Sequence, residues 1–208
     1  METKTLELTL LSYWHCSTGK GEGPGADLLA IRDASGLPYV PGRTVKGLLR
    51  HAVEWLDELE GVQVTAPNSA TAIFGTGIPD SGGDKRVRKL EEARHSTQAG
   101  TVRVDSAELG ADQAARDQWR AWATHKDGKA MIPFLTTTVA STRMNEQGVA
   151  QDRTLRMVEV VVPLTLFAKL ESAQPSHLAR IEQALPLLRE LGTGRNRGFG
   201  RVHVSVRK

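Results

Sequence analysis

Residues 192–200 read G-T-G-R-N-R-G-F-G, and here side-chain type and spacing point directly to chemistry. Gly192, Gly194, Gly198 and Gly200 let the backbone enter left-handed conformations and expose its amides. Arg195 and Arg197 between them carry planar guanidiniums that hold phosphate oxygens in pairs. The run is not a dinucleotide fingerprint. That motif follows a strand and opens a helix, whereas this loop follows a helical pattern and enters a strand pattern. It also lacks the Lys-Ser/Thr ending of a phosphate-binding P-loop. Phe199 has two readings, a core plug or a surface on which a base stacks. The plain alternative is a helix-to-strand turn, which needs only one or two glycines.

A second constellation is Y-V-P-G-R-T-V-K-G-L-L-R at 39–50. Pro41-Gly42 turns the chain into a helix expected from about Thr44, with Thr44 as N-cap. Arg43 and Lys46 in its first turn oppose the macrodipole unless an anion sits there. The alternative is a poorly optimised exposed turn. Asp27 follows the glycine-rich stretch G-K-G-E-G-P-G-A and is expected to be exposed. A carboxylate beside phosphates is repelled unless a cation bridges them, so a divalent metal is its natural partner. Otherwise Asp27 is a solvated loop acid. Asp33 reads as the cap of a turn at Ser35-Gly36, and Glu22 is a weaker acid candidate. His15 stands just past the strand pattern of 4–13, with a role either toward a ligand or in a structural hydrogen bond. The histidines at 51, 95, 125, 177 and 203 form no metal-ligand spacing.

The elements that would position these residues follow from periodicity. Residues 4–13 alternate as a half-buried strand. Val45, Leu48, Leu49, Ala52, Leu56 and Leu59 mark one helical face. Residues 61–135 read as an irregular insertion with a short amphipathic piece near 111–124. Residues 132–143 and 154–170, rich in β-branched side chains, read as a long hairpin with a turn at Gly148. Residues 176–191 form a second amphipathic helix that Pro186 should kink or split, and a final strand follows the glycine-rich loop. The order is βαββαβ, that of an α+β, ferredoxin-like (RRM-like) palm.

The 208 residues suit one domain with a large insertion, and 39% hydrophobic with 25% charged residues suits a buried core. One cysteine, Cys16, excludes a disulfide scaffold or a cysteine-rich zinc module and fits a reducing compartment. No apolar run reaches the length of a membrane span and the start does not read as a signal peptide, so the expected location is the cytoplasm. Net charge is only +3, but basic residues cluster at 85–94 and at the C-terminal end. Segregated basic stretches suggest a local polyanion site, with solvated faces as the alternative. Trp14, Trp55, Trp119 and Trp122 read as core or interface residues.

Taken together, these segments resemble the repeat-associated mysterious protein (RAMP) superfamily of CRISPR systems, and most closely the repeating backbone subunit of type III RNA-targeting effector complexes. L-P-Y-V-P-G-R-T-V-K-G-L-L-R is similar to the family's "LPxxPGSSLKGxLR" element, and G-T-G-R-N-R-G-F-G-R-V to its C-terminal glycine-rich loop. Phe74–Gly77 (F-G-T-G) matches the F-G that often precedes the family's insertion. The segment 136–158 resembles its thumb hairpin. Where the family often reads "IDRxTGxA", this chain has Met144–Ala150, one residue shorter.

The resemblance implies a single RAMP domain: a palm at 1–60 and 159–208, an insertion at 61–135 and a thumb at 136–158. It implies stacking of copies, or of related backbone subunits, along a guide RNA (crRNA), beside other effector subunits and without a membrane. His15, Arg43, Thr44, Lys46, Arg50, Gly194, Arg195, Arg197 and Gly198 are the expected RNA-binding residues, with Met144 an apolar wedge between bases or a packing residue of the hairpin. An aspartate six residues before a second one is required in many members for metal-dependent cleavage of the target RNA. Asp27 precedes Asp33 by that spacing, so Asp27 is the expected catalytic residue and ligand of Mg²⁺ or another divalent ion. Two other readings stay open: a purely structural guide-binding subunit, and a guide-processing endonuclease using His15 or His51.

Overall fold

The alternation in the first strand places Leu6, Leu8 and Leu10 on one face, and all three are buried. In the computed structural model, which describes residues 1–17, 19, 27–76, 98–143, 145–151 and 154–207, this strand, β1 (Glu2–Leu10), lies inside a four-stranded antiparallel sheet. Its neighbours are β5 (Thr165–Ser172) and β6 (Val202–Val206), and β5 also pairs with β2 (Val102–Val104). The order β2-β5-β1-β6 is that of a ferredoxin-like palm. The helix α1 (Gly42–Glu60) and the helix α5 (Pro175–Ala184) pack against each other and supply Val45, Leu49, Val53, Leu178 and Ile181 to the core. Each such side chain contributes about 1.5–3 kcal/mol by leaving water.

The sheet corrects two expectations. The palm's second strand is not part of the hairpin: it is the three-residue β2, inside the stretch read as an irregular insertion. The run 154–170 is two strands in different sheets. β4 (Arg156–Val161) pairs with β3 (Thr136–Ser141) as a separate two-stranded thumb, and β5 belongs to the palm. The switch falls at Val162-Pro163-Leu164, where Pro163 offers no N–H to either ladder. Val162 N–H donates to Leu135 and Leu164 accepts from Leu10 N–H at 2.9 Å.

Among the described residues three further α-helices are present: α2 (Ala70–Phe74), α3 (Gln113–Thr124) and α4 (Lys126–Met131). Thr44 is not the cap of α1. The helix starts at Gly42, with Pro41 in the cap position and no side-chain cap, and Thr44 lies in the first turn. Pro186 has the expected effect, since α5 ends at Ala184 and passes into a 3-10 turn. Among the described residues no helix is long and apolar enough to cross a membrane.

One buried acid ties the helices together. Asp57 on α1 accepts from Ala70 N–H at 2.7 Å, at the start of α2, and from Arg180 of α5 at 2.7 Å. Arg180 also reaches Glu60 at 2.6 Å. Burial opposes the charge of Arg180, but the hydrogen bonds to Asp57 and Glu60 outweigh it and hold the guanidinium pKa above its ordinary value. Removing Asp57 would leave the Ala70 amide unpartnered and the Arg180 guanidinium, only 10% exposed, with Glu60 alone. Asp57→Ala is therefore expected to cost about 3 kcal/mol and to lower the melting temperature by roughly 6–12 °C. Glu60→Gln, at a half-exposed position, should shift it little; thermal denaturation of both variants checks the contrast.

Candidate nucleic-acid interface

The segment carrying Asp27 is held against the thumb by main-chain pairing. Asp27 N–H donates to Met157 at 2.7 Å, and Met157 N–H returns to Asp27 Oδ2 at 2.7 Å. Glu159 N–H donates to Leu28 at 3.0 Å, and Leu28 bridges Val158 in parallel. Residues 27–30 thus run along β4 as an irregular third strand. The Glu159 carboxylate then accepts from Ala30 N–H at 2.9 Å and from the Arg32 guanidinium, which also donates to Thr136 at 2.9 Å. Asp33 closes the segment as expected, its Oδ1 accepting from Ser35 and Leu37 N–H at 2.8 and 2.9 Å.

Asp27 is exposed and lines a cleft of about 540 Å³ between this segment, the thumb and the glycine-rich loop. The walls carry Arg143 and Arg156 from the thumb and Arg197 from the loop, all exposed. None of the three forms an ion pair with Asp27 within 4.0 Å. Three guanidiniums around one carboxylate favour a polyanion, with phosphates as their match. Thr142 and Thr154 bond each other at 2.8 Å on the same wall.

In the glycine-rich loop Arg195–Arg197 form a single 3-10 turn, bracketed by Gly194 and Gly198 in left-handed conformations. The loop is anchored from behind. Thr193 N–H donates to His15 at 3.0 Å and Gly200 N–H to Tyr13 at 2.7 Å. At Gly192 a Cβ would sit 2.3 Å from the His15 carbonyl oxygen, so only glycine permits this approach. Phe199 is half-buried and folds against Gly194, as a plug under the turn. The two arginines part company: Arg197 faces the Asp27 cleft, whereas Arg195 lines a different one beside α1.

His15 is corrected. Its ring is wholly buried, so in this structure it cannot line RNA. Nδ1 lies 2.6 Å from the Glu159 carbonyl oxygen, and since a carbonyl only accepts, Nδ1 carries the proton. Nε2 finds no partner among the described residues. His15 instead joins the glycine-rich loop to the thumb strand. Arg43, Thr44, Lys46 and Arg50 do not line the Asp27 cleft. Arg43 is exposed, Lys46 is half-buried, and Arg50 pairs with Glu54 at 2.8 Å. Gly42 N–H at the start of α1 is taken by Ser106 Oγ at 3.1 Å, which leaves fewer amides for an anion than expected. Met144, Glu22 and the basic run 85–94 lie outside the described residues. The thiol of Cys16 is pushed up to about 11 by burial and offers no nucleophile.

Sequence reading missed Glu159, Arg32, Arg143 and Arg156. A signal existed for Glu159, a lone acid inside the apolar run M-V-E-V-V-V. A metal would find a sparse donor set here. Among the described residues no three His, Cys, Asp or Glu side chains gather to hold an ion. Asp27 alone does not fit a resident ion caged by protein. A lone carboxylate holds Mg²⁺ only where water and the oxygens of a bound ligand complete its shell.

A ferredoxin-like palm, a hairpin thumb and an arginine-glycine loop meet at a cleft walled by three arginines. The family model of the RAMP superfamily matches residues 7–203, and the chain belongs to that superfamily. Among solved structures it is similar to a chain of the type III-B Cmr-beta complex in its apo state, at TM-score 0.66 and 11% identity, covering 99% of this chain and 97% of that one. It is also similar to a chain of Cmr-beta bound to cognate target RNA, at TM-score 0.59 and 15% identity, again covering 99% and 97%. At these identities the likeness is one of fold. No curated protein sequence matches the chain.

The ties between Arg32 and Glu159 predict a measurable coupling. Arg32→Ala and Glu159→Ala should each lower stability in urea unfolding. The double variant should lose less than the two losses together, with a coupling of about 1–2 kcal/mol. Additive losses would show that the pair does not hold the segment.

Proposed function

We propose that this chain is a backbone subunit of a type III CRISPR effector complex, which binds guide RNA, assembles along it with copies of itself or related subunits, and cleaves complementary target RNA. The observation that carries this reading is the cleft that sets Asp27 among Arg143, Arg156 and Arg197. The arginines would hold successive phosphates of the RNA backbone. Asp27, with Oδ2 fixed by Met157 N–H, would stand beside the phosphate to be cut and hold Mg²⁺ jointly with it. When bound, the ion would supply charge neutralisation at that phosphate. Thumb and loop would keep the strand out of stacked A-form geometry, which disfavours in-line attack. The burial of His15 speaks against a guide-processing mechanism built on that residue.

The test is cleavage of an end-labelled, guide-complementary RNA by the assembled complex. Asp27→Asn keeps an oxygen to accept from Met157 N–H and removes the charge. It is expected to slow cleavage by about 10²–10³-fold with target affinity unchanged, and EDTA should abolish regularly spaced cuts in the wild type. Unchanged cutting by Asp27→Asn would remove this residue from the mechanism. A wild-type complex that binds target and never cuts it would be a structural assembly. Separately, Arg197→Ala should weaken RNA binding and reduce the slope of log K against log salt by about 0.7, measured by filter binding from low to physiological salt.

A further inference from the structure

The helix α1 carries more apolar surface than the palm covers. Its core face is Val45, Leu49, Ala52 and Val53, all buried. Trp55 lies off that face and is 47% exposed. It borders a cleft of about 280 Å³, closed on the far side by the segment after α5 and at one end by the glycine-rich loop. Around Trp55 the cleft gathers His51, Leu188, Arg189 and Arg195. The two arginines and His51 are exposed, and Glu190 is the one acid among the lining residues. An indole beside guanidiniums is the combination that takes a nucleobase by its π-face and the adjoining phosphate by charge. The loop provides continuity, because Arg195 lines this cleft and Arg197, two residues on, lines the Asp27 cleft.

We infer that the Trp55 cleft is a second RNA subsite, which takes one unpaired base of a single strand whose phosphate is held by Arg195 and Arg189. The inference rests on the RNA-binding reading of the glycine-rich loop, but not on cleavage. It gives the loop two faces: one toward the Asp27 cleft, and one that captures a base turned out of the strand. A paired, stacked base cannot enter, so the subsite distinguishes single-stranded from double-stranded RNA. A protein partner would use the same indole differently, packing apolar surface of its own on the ring.

The experiment measures fluorescence anisotropy of the full chain with two labelled probes, an unstructured single-stranded RNA and a blunt-ended, fully paired RNA duplex. Trp55→Ala is expected to weaken single-strand binding about tenfold and to leave duplex binding within about twofold. Trp55→Phe, which keeps an aromatic face, should recover most of the loss, and thermal melts show that both variants fold. Unchanged single-strand affinity in Trp55→Ala overturns the inference, as does an equal loss on both probes. Unchanged RNA affinity with altered self-association in sedimentation would assign the cleft to a protein contact instead. If the wild type bound the duplex and the single strand alike and Trp55→Ala changed neither, the loop reading would survive without the subsite. If it bound neither probe, both readings would fall.

Discussion

Glu159 accepts at both carboxylate oxygens and at its main-chain carbonyl, and the candidate site depends on these contacts. One oxygen holds Ala30 N–H, the other holds Arg32, and the carbonyl takes the His15 ring. His15 in turn gives its own carbonyl to the glycine-rich loop. Three segments far apart in the chain are fixed relative to one another by this one residue. The carboxylate is largely buried, so its hydrogen bonds are stronger than surface ones, and losing one partner would strand a charge.

The palm and the thumb divide the work. The palm sheet buries the alternating leucines of β1 and provides a rigid base. The thumb is a two-stranded ribbon, which is marginal alone. It gains support along β4 from residues 27–30 and at Trp14, which bridges Val161. Asp27 therefore owes its place to main-chain pairing with β4. Its carboxylate faces a cleft whose other charged walls come from the thumb and the glycine-rich loop.

Much of this was legible because the signals are local. The alternation of β1, the helical period of α1, the turn at Asp33 and the break before Pro186 each depend on neighbouring residues. The parts that were not legible depend on distant partners. β2 has three residues and is a strand only because β5 lies beside it. His15 looks like an accessible strand-end histidine, yet its partner Glu159 is 144 residues away. The division of 154–170 between two sheets turns on Pro163 and on which edge each half meets. The charged pattern of the glycine-rich loop suggested phosphate contact, but periodicity could not show that Arg195 and Arg197 face different clefts.

The proposed function puts target RNA in the cleft beside Asp27. A photo-crosslinking amino acid at Thr142, exposed on the cleft wall, tests this within the assembled complex carrying guide and labelled target. Crosslinks to the target strand are expected at regularly spaced nucleotides, one for each subunit, each next to a cleavage position. Crosslinks confined to protein or to the guide strand would contradict it.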